Sequence, residues 1–261
     1  MTQDTAALIA TAHALADAAR PATLAHFRNP ALAVDSKGAG FDPVTAADRE
    51  AEAAMRAILA VRRPDDAVQG EEMPDTAGTS GWTWVLDPVD GTRAFLCGAP
   101  SWGVLIALAD AHGPRFGLID QPFTGERFAG GFGVAEWRRG DAVRPLDVRG
   151  TERLSEALIM TTFPEVGTPA DGQAFQRLAA QCRLTRYGLD CYAYALLALG
   201  QIDLVVEAGL KAHDIAAPIA VIEAAGGIVT DWQGGPAHGG GQALAAATPA
   251  LHAAALAVLA G

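Results

Sequence analysis

The chain has 261 residues, half of them apolar and 19% charged, with 30 acidic against 19 basic side chains and a formal net charge of -11. That length can bury a large core as one α/β domain or as two packed halves, and the composition excludes a disordered or low-complexity chain. The acidic balance argues against nucleic acid or an anionic membrane as partner, because a phosphate-rich surface repels it; an anionic small substrate would need a bound cation.

The first residues lack the basic-then-apolar order of a signal peptide, and no stretch reaches roughly 18 consecutive apolar residues, so the expectation is a cytoplasmic protein. Cys97, Cys182 and Cys191 show no C-x-x-C spacing and are expected to be buried small hydrophobes rather than a disulfide or zinc framework. The histidines have no H-E-x-x-H or similar spacing, which leaves carboxylates as the metal donors the sequence suggests.

Taken in chain order, the Ala-rich segment from Asp4 to about Phe27 has helical composition, with Pro21 expected to kink or split it. A loop follows. Thr45 with Asp48 resembles a capping box and opens a helix running to Arg63. From Trp82 to Glu136 the pattern becomes short β-type runs (Trp82–Leu86, Gly103–Leu108, Phe116–Ile119, Glu126–Ala129) broken by Gly and Pro, which predicts a mostly antiparallel sheet. Beyond about Gly150 the elements alternate: strand Ala157–Thr161, helix Asp171–Gln181, a helix from Cys191, strand Asp203–Glu207, helix Ile215–Ala225 and strand Gly227–Thr230. Alternation of this kind predicts a largely parallel sheet covered by helices. A strand at Ala243–Ala247 and a helix from Pro249 close the chain. Two halves are expected, 1–150 and 151–261.

The densest chemistry lies in Trp84-Val85-Leu86-Asp87-Pro88-Val89-Asp90-Gly91-Thr92, where an apolar strand runs into two acids. With Asp87 ending the strand and Pro88 turning the chain, two carboxylates and the Val89 carbonyl can offer oxygen ligands to a hard cation, and Gly91 lets a phosphate approach the backbone. D-P-x-D-G is equally a run of turn formers. Glu71 and Glu72 end a short β-type run, where a metal ligand and a water-orienting base, or plain surface charge, would be placed. Asp48 and Asp214 each also fit as helix-capping acids.

Together, Asp87-Pro88-Val89-Asp90-Gly91-Thr92, Gly70-Glu71-Glu72, Val44-Thr45-Ala46-Ala47-Asp48 and His213-Asp214-Ile215-Ala216-Ala217 resemble the signatures of the inositol-monophosphatase family, in order and spacing from about residue 40 to 231. The resemblance implies an α/β (α+β) layered αβαβα sandwich and a phosphatase of small phosphate monoesters. It further implies two or three Mg²⁺ ions, for which Mn²⁺ could substitute because the ligands are hard oxygens, and a homodimer. By that resemblance Glu71, Asp87 and the Val89 carbonyl hold one metal, while Asp87, Asp90 and Asp214 hold a second. Glu71 and Thr92 orient the attacking water, Asp48 supports Thr92 or a third metal's water shell, and Gly91 and Thr92 give backbone donors to the phosphate. His213 stands where many members have Trp, so its effect is expected on the substrate pocket unless the ring is merely packed.

Arg93-Ala94-Phe95, Tyr187 to Tyr194 and Glu207 to Lys211 look most like the histidinol-phosphatase branch, in which the substrate's leaving group carries an ammonium and an imidazole. Asp190 and Glu207 are the candidates for binding those cationic groups, although Asp190 also fits as an N-cap and Arg93 as the partner of a neighbouring acid. An inositol-monophosphatase or a broad sugar-phosphate phosphatase would share the metal ligands and differ around Arg93, Asp190 and Glu207. A nucleotide-binding module resting on Gly130-Gly131-Phe132-Gly133 lacks the complete G-x-G-x-x-G pattern.

Overall fold

A computed structural model describes residues 3–30, 34–36 and 43–261 of the chain. The first helix, α1 (Gln3–His26), runs through Pro21, so the expected split does not occur. Proline withholds one N–H from the helix, but the residues around it are held from outside. Arg20 forks onto Asp120 with two bonds of 2.8 Å, Thr23 Oγ1 donates to the Ala19 and Arg20 carbonyls, and Leu15, Ala16 and Ala19 are fully buried. The loop expected after Phe27 lies partly outside the described residues; within it β1 (Val34–Ser36) and β2 (Pro43–Thr45) pair antiparallel. Helix α2 (Ala46–Arg62) opens on the predicted capping box, with Thr45 Oγ1 accepting the Ala47 N–H at 3.1 Å and the Asp48 carboxylate accepting the Thr45 N–H at 2.8 Å.

A seven-stranded sheet follows, in the order β3 (Ala67–Gly70), β4 (Thr83–Asp90), β5 (Gly103–Asp110), β6 (Gly113–Gln121), β7 (Glu126–Gly131), β8 (Val134–Arg139) and β9 (Ala142–Pro145), with the short α3 (Thr92–Cys97) between β4 and β5. Every pairing is antiparallel except β3 with β4. The β8–β9 hairpin was not expected from the sequence. Its β9 is exposed throughout, so it lacks the alternation that marks a half-buried strand.

The second part of the chain comprises β10 (Leu158–Thr161), α4 (Pro169–Ala179), β11 (Leu184–Tyr187), α5 (Asp190–Ala198), β12 (Leu204–Leu210), α6 (Ala212–Ala224), β13 (Ile228–Thr230), β14 (Gly241–Ala246) and α7 (Pro249–Ala260). The strands form a five-stranded sheet in the order β11-β10-β12-β14-β13. All run one way except β14, which is antiparallel to both of its neighbours.

Three cores define five layers. On one face of the larger sheet, Leu8 and Leu15 of α1 and Met55 and Leu59 of α2 pack on Trp84, Leu86, Ile106 and Phe116. Its other face, through Val85, Leu105, Ile119 and Phe128, meets α5 and α6, which also meet Val205, Ala243 and Ala245 of the smaller sheet. Beyond that sheet, Phe175 and Leu178 of α4 and Leu251 and Leu259 of α7 cover Ile159, Leu204, Val206 and Leu244. The arrangement is an αβαβα sandwich. Because α6 lies between two sheets, every residue from Ile215 to Ile222 is buried and the helix is apolar all round. Gly117 and Gly130 let it approach, since a Cβ at either would run into the α6 backbone.

The expected division near residue 150 falls between the two sheets, but the core around α5 and α6 draws on both. Cys191 is buried as expected, whereas Cys182 is half-buried and Cys97 is exposed at the end of α3, correcting the expectation of uniform burial. Among the described residues no helix is long and apolar enough to cross a membrane.

Candidate active site

Two residues three apart in a regular strand point to opposite faces of the sheet. Asp87 pairs with Leu105 and Asp90 with Gly103, so β4 spends one more residue than β5 between the two pairings, and the extra residue is a bulge. The bulge restores parity and turns Asp87 and Asp90 to the same face, toward α5 and α6. Pro88 lies within it, at a position where a missing N–H costs the ladder little. The strand therefore does not end at Asp87, nor does Pro88 turn the chain; β4 continues to Asp90. A matching irregularity between Glu207 and Leu210 of β12 lies at the other side of the middle layer.

Around the bulge the structure gathers two groups of possible ligand atoms, each within 4.8 Å of one another: Glu71, Asp87 and His213, and Asp87, Asp90 and Asp214. Asp87 belongs to both. Burial, and then the charges of Glu71, Asp90, Asp214 and Asp48, push the Asp87 carboxyl well above the usual carboxylate range. Asp90 is pushed up likewise, by burial and then by Asp214 and Asp190. The Val89 N–H donates to Asp87 Oδ1 at 3.1 Å, and the Val89 carbonyl accepts from Thr92 Oγ1 at 3.1 Å.

Helix starts supply much of the remaining support. The Cys191 N–H, in the first turn of α5, donates to Asp90 Oδ2 at 2.7 Å, and the Lys211 N–H before α6 donates to Asp214 Oδ2 at 2.7 Å. Asp214 thus sits in the first turn of α6, whose dipole favours a carboxylate there. Burial still raises its pKa overall. The α3 helix begins at Thr92 behind Gly91, whose φ of 82° is the left-handed conformation glycine tolerates. A Cβ on Gly91 would lie 2.8 Å from Cβ and Cγ of Asp190.

Asp190 itself has φ 47°, and its Oδ2 accepts from Ser101 Oγ at 3.0 Å. It does not cap α5; Asp90 accepts the Cys191 N–H there instead. Burial raises the Asp190 pKa, opposed by the Ser101 hydroxyl and the positive charge of Arg93. Arg93 is exposed and stands over the Phe163 ring, 5.0 Å from its centroid. Glu207 accepts three bonds, from Thr161 Oγ1 at 3.1 Å, Thr162 N–H at 2.7 Å and Thr162 Oγ1 at 2.9 Å, and burial pushes its carboxyl up to about 7.

Glu71, Asp90, Gly91, Thr92, Arg93, Asp190, Glu207 and Asp214 all line one open cavity of about 280 Å³. Asp87 lies beneath its acidic end. Asp48 belongs to neither ligand group. Its Oδ2 is taken by Thr45, its Oδ1 is buried without a partner, and burial raises its pKa. No bond joins it to Thr92, whose hydroxyl goes to Val89.

Several contributors were not singled out from the sequence. Glu52 is fully buried on α2 and accepts from the N–H groups of Glu72 and Met73, at 2.8 and 3.2 Å, and from Arg56 Nε at 2.7 Å, which pins the loop carrying Glu71. Gly70 is required beside it, since a Cβ would run into the Glu52 carboxylate. Asp48, Glu52 and Arg56 recur every four residues along one helix face, a signal the sequence does hold. Tyr194, which closes the Tyr187–Tyr194 run but carried no role of its own there, lines the cavity with its hydroxyl buried and unpartnered. Ser101 and Phe163 reach the site from distant loops and carry no local signal.

Buried acids with raised pKa values, together with the unpartnered Asp48 Oδ1 and His213 Nε2, leave the centre short of positive charge. The donor set of carboxylates and carbonyl fits hard divalent cations. Fold and site together define a metal-dependent hydrolase of the layered αβαβα type.

The family model for the inositol monophosphatase family matches residues 4–260, and the chain belongs to that family, as a phosphatase. It is 41% identical over 227 residues to the chloroplastic bifunctional phosphatase IMPL2 of Arabidopsis thaliana, covering 86% of this chain and 64% of that protein, so it spans just under two thirds of that relative's length. The histidinol-phosphatase of Streptomyces coelicolor is 36% identical, with 92% of each chain covered. An inositol monophosphatase structure from Zymomonas mobilis superposes with a TM-score of 0.85 at 41% identity, covering 97% of each chain.

Proposed function

We propose that this phosphatase hydrolyses L-histidinol phosphate to L-histidinol and phosphate. The observation that carries the reading is the pair of carboxylates, half-buried Asp190 and buried Glu207, that line the cavity outside both ligand groups. An inositol or sugar phosphate gives two extra acids nothing to neutralise, whereas the ammonium and imidazole of histidinol do.

In this reading Glu71, Asp87 and the Val89 carbonyl would hold one cation, and Asp87, Asp90 and Asp214 a second. Such cations supply charge neutralisation of the phosphate and a lowered pKa for water. Glu71 and Thr92 orient the water. Because the Thr92 hydroxyl already donates to the Val89 carbonyl, its oxygen faces the water as an acceptor. The water oxygen bonds to phosphorus as the bond from phosphorus to the alcohol oxygen breaks; Glu71 takes the proton the water loses, solvent returns one to the departing alcohol oxygen, and Gly91 and Thr92 present N–H groups to the phosphate at the start of α3. Asp48, with no bond to Thr92, would support the water shell of a third cation through its unpartnered Oδ1. Asp190 and Glu207 orient the leaving group, with Arg93 and Phe163 at the rim of the cavity. By family resemblance the cation is Mg²⁺, two or three per site with Mn²⁺ able to replace it, and the enzyme is a homodimer; the proposed substrate gives it a part in histidine biosynthesis.

The test is phosphate release from L-histidinol phosphate, inositol 1-phosphate and fructose 1,6-bisphosphate, each with Mg²⁺ and with EDTA. A Mg²⁺-dependent preference for histidinol phosphate is expected. Asp190→Ala should raise its KM about 10-fold or more, the loss of a charge-assisted bond of roughly 1.5–3 kcal/mol, and leave the KM of the uncharged esters within about 2-fold. Equal effects on all three would remove the assignment.

A specific observation favours a second reading, an inositol-1-monophosphatase or broad sugar-phosphate phosphatase. Both Glu207 oxygens already accept protein donors, which leaves less capacity for a ligand ammonium. The pH dependence separates the two. With a pKa of about 7 in the free protein, Glu207 loses its charge as pH falls below neutrality, so KM for the cationic substrate should rise from pH 8 to 6 by a factor that Glu207→Gln abolishes. The substrate's own titration is common to both proteins and cancels. Identical profiles for wild type and variant would favour the second reading.

A further inference from the structure

One donor in the ligand groups is not a carboxylate. We propose that Nε2 of His213 is a direct ligand of the cation held by Glu71 and Asp87, which gives that site a mixed nitrogen and oxygen donor set and a tighter hold on Mn²⁺, Co²⁺ or Zn²⁺ than oxygen ligands alone would give, while Mg²⁺ still binds. The proposal rests on the metal-dependent reading above but not on the identity of the substrate.

His213 stands in the first turn of α6, its side chain 15% exposed, and its Nε2 is buried with no hydrogen-bond partner. That atom lies 3.7 Å from Glu71 Oε1 and 3.5 Å from Asp214 Oδ1. The distances are too long for good hydrogen bonds. The Glu71 distance is within a few tenths of an ångström of a tetrahedral edge, about 3.4 Å, between two ligands that share one cation with bonds of about 2.1 Å. The sequence suggested only carboxylate donors because ligand spacing reads neighbours along the chain. Here the three ligand atoms come from the loop after β3, from β4 and from the start of α6.

Lys211 Nζ also lies 3.6 Å from Glu71 Oε1, but that side chain is 57% exposed and can leave when a cation arrives. The imidazole, at 15% exposure, has far less room to move. As a ligand, Nε2 carries the lone pair and Nδ1 the proton. Imidazole suits later first-row metals better than it suits Mg²⁺, for which an all-oxygen set is the natural one.

The test loads the metal-stripped full chain with one equivalent of Mn²⁺ and records electron spin echo modulation, with metal affinities measured by calorimetry. Directly coordinated ¹⁴N is expected in the wild type and absent in both His213→Phe and His213→Gln, the second keeping a polar group so that packing and ligation are separated. Affinity for Mn²⁺ and Zn²⁺ should fall about 10-fold or more in both variants, with Mg²⁺ affinity changing less than about 3-fold. Melting curves confirm that the variants are folded. Mn²⁺ bound through oxygen alone in the wild type, or a ¹⁴N signal surviving in both variants, would overturn the proposal and leave the phosphatase reading intact. Failure of the wild type to bind Mn²⁺ at all would overturn both.

Discussion

Asp87→Asn is expected to abolish turnover, with kcat falling by at least about 10³-fold, while the metal-free protein becomes more stable. Asp87 is 1% exposed and is the one side chain common to both ligand groups. Asparagine keeps its shape and the acceptor for the Val89 N–H, but offers neither cation a charge. Losing even one neutral donor to the transition state costs on the order of 10²–10³ in kcat, and here both candidate cation sites lose a charged ligand at once.

The stability gain follows from the same burial. A carboxyl whose folded pKa is raised binds protons more tightly folded than unfolded, so its contribution to stability is greatest at pH below its ordinary value and is lost as pH rises through the raised one. Asparagine does not ionise. Its advantage in EDTA should therefore appear as pH rises, with the melting temperature up by about 2–4 °C for each kcal/mol gained. Phosphate release with Mg²⁺, and melting curves in EDTA across pH, check the two halves separately. Turnover near that of the wild type would remove the metal-site reading, and a lower melting temperature in EDTA would refute the electrostatic account of the cluster.

Gly91→Ala is expected to lower kcat/KM about 100-fold, the cost of roughly 1 Å of misplacement at the reacting centre. Two costs coincide at Gly91. A side chain in the left-handed conformation costs about 1–2 kcal/mol, and the new Cβ would stand 2.8 Å from the Asp190 side chain. Relief requires the start of α3 or Asp190 to move, and both line the cavity. Gly81 supplies the control, since its φ is 86° and nothing lies within 4 Å of a Cβ there. Gly81→Ala should lose similar stability and keep its activity. If Gly91→Ala loses only stability as well, the close approach of Gly91 to Asp190 has no part in catalysis.

The loop carrying Glu71 owes its position to residues outside the cavity. Its two backbone N–H groups bond a carboxylate, Glu52, that is itself fully buried and paired with Arg56, and a glycine leaves room for that carboxylate. Breaking a buried pair by removing one partner costs about 3–5 kcal/mol, which makes the loop's anchor one of the stiffer contacts near the site.

Short-range rules account for what could be read along the chain. The Thr45–Asp48 capping box, the apolar run into Asp87 and the alternation beyond residue 150 each depend on residues within a turn or a strand of one another, where propensity and periodicity operate. The acids that line the site were identifiable for the same reason, since their types and spacing are local facts. Other features depend on partners remote in sequence. Asp87 and Asp90 share a face because β5 has one residue fewer between their pairings. Asp90 is held by the Cys191 N–H, 101 residues away, which removes the capping role open to Asp190. Pro21 stays within one helix because Arg20 is tied to Asp120. The edge strand β11 and the exposed β9 exist because neighbouring strands offer them a ladder, although their own patterns are weak. Local chemistry thus determined which residues could do the work; register, burial and long-range hydrogen bonds, to which no short window of sequence responds, decided where those residues meet.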